Sequence, residues 1–269
     1  MNEKKVTFVK ADNPKMIEAY EKARETFKYF WRELSWEYRR IVPALNLAYV
    51  KVALTQKFND SDEPITEHLW MNDVEFDGNN VKGVLINSPN EITNVKMGDL
   101  VEVPLFQLSD WLFAMPDAKA KGGISKIFSS ASKAKTYGGF TIQAIRSEMT
   151  NQELKEHDKA WGLDFGDCNE ILLAYQQKEN PENLVEHPMS INMKESIIKF
   201  IKENPNEITF MDENGYTFLH REVIAGNLTS VKILLEAGAD KNIKTNQGET
   251  ALDFAVKLKW AHIISVLKN

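Results

Sequence analysis

Apolar positions along the first third of the chain fall into two periods. Met16, Tyr20, Ala23, Phe27, Phe30, Trp31 and Leu34 recur at three- and four-residue steps, which predicts a helix of roughly five turns. Asn13-Pro14 supplies its start, an N-cap residue followed by proline in the first turn. Beyond Pro43 the pattern turns strand-like: Leu47 to Leu54, then Glu67 to Phe76, a turn at Asp77-Gly-Asn-Asn80, and Val81 to Asn87. Further strands are predicted at Leu100 to Phe106 and Gly139 to Ile145, with a short one near Val6 to Val9. One long helix on a small, mostly antiparallel sheet makes residues 1–148 an α+β domain. A polar helical connector anchored by Trp161 follows at 149–166, and further helices are read at 168–177, 193–203 and 261–267.

The C-terminal third repeats itself. Gly215, Thr217 and Leu219 return as Gly248, Thr250 and Leu252, a period of 33 residues. With Val231-Lys-Ile-Leu-Leu-Glu-Ala-Gly-Ala-Asp240 between them, the stretch resembles ankyrin repeats. Shifting by the same period aligns Ile198 with Val231 and Ile201 with Leu234. Residues 167–269 therefore read as an all-α ankyrin stack, with 167–211 a degenerate capping repeat, 212–244 a repeat and 245–269 a terminal one. The resemblance implies that Thr217 and His220 brace a helix start, with Asp253 taking the histidine's place beside Thr250. It also implies a protein partner at the turn tips and on the first-helix face, through Asp212, Asn214, Tyr216, Arg221, Asn246, Gln247 and Phe254. Glu222 stands where that pattern has a small apolar residue.

The N-terminal domain carries its own resemblance. Glu67-x-x-Trp70, Gly83-x-Leu85-x-Asn87-x-Pro89, Gly98-Asp99-x-Val101, Asp110-Trp111 and Gly138-Gly139-Phe140 are similar to bacterial domain of unknown function 2314, with YegJ-like proteins as examples. No activity follows from it. Two readings stay open for Glu67, Trp70, Asp110 and Trp111: a pocket of aromatics flanking carboxylates, or a core with an aspartate tying down a turn. Between Trp111 and Gly138 this chain has a longer connection with five lysines and one aspartate. It reads either as a solvated insertion or as a recognition loop for an acidic protein surface or lipid headgroup. The recognition reading uses Lys119, Lys121, Lys126, Phe128, Lys133 and Lys135.

Charge narrows the partners. Residues 1–150 carry 20 basic and 20 acidic side chains and residues 151–269 carry 13 and 19, so the net −6 belongs to the C-terminal part. That argues against nucleic acid, which needs clustered Lys and Arg. No apolar run is long enough for a membrane span, and the start lacks the pattern of a secretory signal, so a cytoplasmic protein is expected. The single cysteine, Cys168, suits a reducing compartment. Asp164-Phe-Gly166 spells a kinase magnesium motif, without the Gly-rich and catalytic loops that accompany it. The five histidines lie far apart and no phosphate loop is present, so no cofactor or metal is expected. The sum is an adaptor without catalysis; by analogy, an immunity-type protein binding an effector is one form of it. The alternative is an enzyme or small-ligand domain targeted by its ankyrin repeats.

Overall fold

The computed structural model describes residues 13–59, 63–116 and 133–269. Lys119, Lys121, Lys126, Phe128 and the strand expected near Val6 lie outside them. The chain forms two compact units that interleave in sequence: Met1–Glu25, Leu45–Val74 and Lys82–Leu172, and Thr26–Ala44, Glu75–Val81 and Leu173–Asn269. Helix α1 (Pro14–Glu37) contributes to both.

The first unit is built on a mostly antiparallel sheet. Its strands are β1 (Leu47–Gln56), β2 (Ile65–Phe76), β3 (Asn80–Leu85), β4 (Leu100–Pro104), β5 (Leu108–Met115), β6 (Ala134–Gly138) and β7 (Leu163–Asp164), in the order β4-β3-β2-β1-β5-β6-β7. Central β1 pairs antiparallel with β2, Lys51 opposite Trp70, and with β5, Lys51 opposite Asp110. Strands β6 and β7 run parallel. Strand β5 is buried at every position, so it carries no alternation, and sequence periodicity misses it. Trp111 on β5 donates its indole N–H to the Ala23 carbonyl (3.1 Å), which ties the first half of α1 to the sheet.

The strand expected at 139–145 is instead a helix, α2 (Phe140–Arg146). Gly138 and Gly139 both take positive φ and turn the chain out of β6. A Cβ on Gly138 would meet the Trp111 carbonyl oxygen at 2.3 Å, so the turn needs glycine there. Helix α3 (Asn151–Trp161) follows, started by a Thr150/Glu153 capping box and stopped by left-handed Gly162. The helix expected at 168–177 is a series of turns and bends. Side chains take the backbone donors a helix would use: Asp167 accepts from Asn169 N, and Gln177 accepts from Leu173 N and Ala174 N.

The second unit is helical. After α4 (Pro188–Asn192) and α5 (Lys194–Glu203) come α6 (Phe218–Ile224), α7 (Leu228–Glu236), α8 (Ala251–Lys257) and α9 (Ala261–Lys268). Thr217 with His220 and Thr250 with Asp253 form capping boxes at the starts of α6 and α8. Antiparallel bridges Met211 to Thr217 and Lys244 to Thr250 close the turn before each helix. Leu219, Val223, Val231, Leu234, Phe254 and Ile263 are the stack's core, and Phe27, Phe30, Leu34 and Trp36 of α1 are buried in the same unit. Thus an α+β fold is followed by helical ankyrin repeats. No described helix is long and apolar enough to cross a membrane.

Candidate functional site

The turn tips of the stack are laced together. Asp212 accepts from the backbone N–H groups of Asn214 (3.0 Å) and Tyr216 (2.9 Å) and pairs with Arg221. Burial would raise its pKa, but the Arg221 hydrogen bond and the Tyr216 N–H outweigh that and hold it low. Asn246 donates its backbone N–H to the Asn214 carbonyl (3.0 Å) and its side-chain amide to Glu213 (2.9 Å). Asn214, Arg221, Asn246 and Gln247 remain exposed.

Tyr216 and Phe254 do not face solvent as the repeat pattern suggested. Both are buried: Tyr216 packs on His220, Phe254 and Arg221, and the turn at Gly78 of the same unit lies against Phe254. A Cβ on Gly78 would sit 2.5 Å from the Phe254 ring. Burial, then the nearby Asp77, push the Tyr216 hydroxyl up to about 12. Asn79 donates to Gln247 (2.8 Å) and Glu249 (2.6 Å) and accepts from Lys257. Part of the surface that the repeats would offer a partner is therefore occupied by this chain's own hairpin tip.

Glu222 gains its explanation from the end of α1 and the residues just after it. Its carboxylate is fully buried, accepting from Arg39 (2.5 Å) and from Asn227 (2.9 Å), whose own carbonyl accepts from the Trp36 indole (2.9 Å). The Arg39 guanidinium lies over the Trp36 ring, 4.7 Å from its centroid. A second buried pair joins Glu33 of α1 to His187 (2.9 Å), with Arg40 on the other carboxylate oxygen (3.0 Å). Burial alone would raise the Glu33 pKa; His187 and Arg40 hold it low. No local signal in the sequence links Glu33 to His187, Trp36 to Asn227 or Arg39 to Glu222, pairs that lie more than 150 positions apart.

In the first unit the four residues weighed as a pocket separate. Trp70 and Asp110 flank Lys51 across three adjacent strands, with the Lys51 ammonium 4.6 Å from the Trp70 ring centroid. Thr141 bridges the charges: it accepts from Lys51 (2.9 Å) and donates to Asp110 (2.5 Å). Asp110 also accepts from the backbone N–H groups of Trp111, Phe140 and Thr141, so it caps α2 from the sheet. Burial pushes the Asp110 pKa up against these donors and Lys51, and burial lowers that of Lys51. Trp111 points instead to α1, and Glu67 accepts from the backbone N–H groups of Asn90, Glu91 and Ile92. Next to the cluster, His68 bonds Ser109 (2.6 Å) and stacks on Tyr20 (5.0 Å); burial, then Lys51, depress it to about 4. Lys51 was missed from sequence because a lone strand lysine looks like a solvated one.

The remaining candidates resolve into local structure. Lys133 donates to the Asp158 carbonyl (3.1 Å), and Lys135 lies on β6 opposite Asp164. Asp164 of the kinase-like tripeptide accepts from Gly166 N (3.0 Å), a two-residue turn. Cys168 lies 3.5 Å from the Arg146 guanidinium. Among the described residues no cluster of three His, Cys, Asp or Glu could hold a metal ion.

Comparison with known proteins places these features. A family described as uncharacterized proteins conserved in bacteria, DUF2314, matches residues 13–165, and ankyrin repeats in three copies match residues 188–268. A putative ankyrin repeat protein of Neisseria meningitidis serogroup B is 47% identical over 258 residues, covering 96% of this chain and 94% of that protein. The uncharacterized protein YegJ of Escherichia coli K12 is 28% identical over 96 residues, 36% of this chain and 52% of YegJ. An ankyrin repeat-containing protein of Schizosaccharomyces pombe is 49% identical over 51 residues, 19% of this chain and 25% of its own. No solved structure matches.

Proposed function

The chain belongs to the DUF2314 family of bacterial proteins, and on that premise we propose that it is a non-catalytic adaptor for a protein partner. Its ankyrin repeats give it a protein-interaction role. The observation that carries the finer reading is the row of exposed tip residues, Asn214, Arg221, Asn246 and Gln247, held rigid by Asp212 and by the bonds between successive tips. A pre-ordered polar surface loses little entropy on binding. Lys119, Lys121, Lys126, Phe128, Lys133 and Lys135 supply a second, basic contact in this reading.

Capture from lysate of the native bacterium, with the full chain as bait, tests it. A specific protein retained by the wild type and lost with Asn214→Arg plus Asn246→Arg, at unchanged melting temperature, is the expected result. Recovery of nothing above background overturns it. Deleting residues 117–134 tests the basic contact: unchanged affinity removes that stretch from the interface. An immunity-type role predicts further that co-expression relieves the toxicity of the captured protein.

A second reading, a small-ligand or catalytic site in the first unit, has one observation in its favour. Lys51 is a half-buried cation against an indole, with His68 and Tyr20 nearby. Lys51→Met with intact partner capture but loss of a small molecule found by native mass spectrometry would favour it.

A further inference from the structure

Within the second unit α1 and α6 enclose an open groove of about 250 Å³. Trp31, Phe76 and Ile224 make its apolar lining, and Arg39 and Arg221 stand at its edge. We propose that this groove docks an extended segment of a partner protein, one that presents a bulky apolar side chain beside an aspartate or glutamate.

The chemistry of the rim carries the acidic requirement. Arg39 is 37% exposed and Arg221 44% exposed, and each gives Nη2 to a carboxylate of its own chain. Those carboxylates are already supplied by other donors: Glu222 by Asn227, and Asp212 by two backbone N–H groups. A guanidinium has five N–H donors, so both arginines keep donors for a third carboxylate. The volume suits one or two side chains, less than the roughly 300 Å³ at which small-molecule pockets begin. Apolar side chains stand exposed close by in sequence on both sides: Ile41 (100%) and Val42 (76%) after Arg39, and Met211 (51%) before Asp212. Arginine and tryptophan around a small apolar pocket are the residue types that dominate binding energy at protein interfaces.

The inference rests on the protein-binding reading and narrows it to a partner segment and a place. The probe is Ac-Glu-Asp-Phe-Asp-Glu-NH2, titrated into the full chain and followed by the Trp31 indole N–H in NMR spectra. Ac-Lys-Lys-Phe-Lys-Lys-NH2 serves as control. Saturable binding with Kd on the order of 0.1–1 mM is expected for the acidic peptide alone. Arg221→Gln and Tyr38→Ser, both at exposed positions that line the groove, should each weaken it by about fivefold or more. Absence of saturation, equal binding of the basic peptide, or an unchanged Kd in both variants overturns the proposal. Capture from lysate separates the two readings. A partner retained equally by wild type and Tyr38→Ser sinks the groove and spares the adaptor. Peptide binding with no captured protein does the reverse.

Discussion

Asp110 shows how one side chain can organise a site without reacting. It satisfies three backbone donors and a hydroxyl while facing a lysine, so its removal strands those buried donors and leaves the half-buried Lys51 without its carboxylate. Asp110→Ala should therefore cost about 3–5 kcal/mol in urea unfolding, whereas a loss below about 1 kcal/mol would favour a ligand-facing role. Histidine titration gives a second test. His68 is held near 4, below its ordinary value of 6.5, and burial lowers His220 and His262 as well. The unfolded chain then binds more protons, so stability falls as pH drops from about 6.5 toward 4. Asp110, whose raised pKa favours the folded state as it protonates, opposes this at the acid end. Melting temperatures across that window should slope upward with pH, and His68→Gln should flatten the slope. Sequence reading found Asp110 and Trp70 but not Lys51, because cross-strand register, which places it between them, depends on pairings that periodicity does not encode.

At the scale of elements, local rules worked where local chemistry decides. The 33-residue repeat, the α1 periodicity and the Thr217/His220 and Thr250/Asp253 caps were all legible. Thr217→Ala should lose about 1 kcal/mol, read from chemical denaturation. The failures share a different cause. Strand β5 lacks alternation because both its faces are covered, and the glycine pair at 138–139 turns an apolar run into a helix. Phe254 was misplaced because the turn around Gly78, which lies against its ring, is more than 170 positions upstream, and Tyr216 because it packs on Phe254 and His220 of the stack itself. Gly78→Ala puts a methyl group into the Phe254 ring at a φ of +103°, so it should destabilise by about 2 kcal/mol or more. Faster amide exchange in α8, with the sheet amides unchanged, is the expected signature.

On the scale of the molecule, the compact units do not follow the order of the repeats and the family domain. Residues 26–44 and 75–81 belong with the helical stack, although both lie inside the DUF2314 match. Cutting the chain after residue 172 would strip from Trp36 the His187 ring it stacks on and the Asn227 carbonyl it donates to. Such a fragment should aggregate or bind a hydrophobic dye in size-exclusion and fluorescence assays, and a monodisperse fragment with a sharp melting transition would contradict it. The converse fragment, residues 167–269, should be poorly folded for want of Glu33 and Arg39, which meet His187 and Glu222.

The Trp36 to Asn227 hydrogen bond spans 191 positions, and that separation sets a clock on the ribosome. Translation at about 5–20 residues per second leaves Trp36 without its partner for on the order of 10–40 s. During that interval the nascent helix displays an aromatic face that the finished protein never exposes. Synthesis in the cell should make this chain a client of a ribosome-associated chaperone, and slowing translation should lengthen the association.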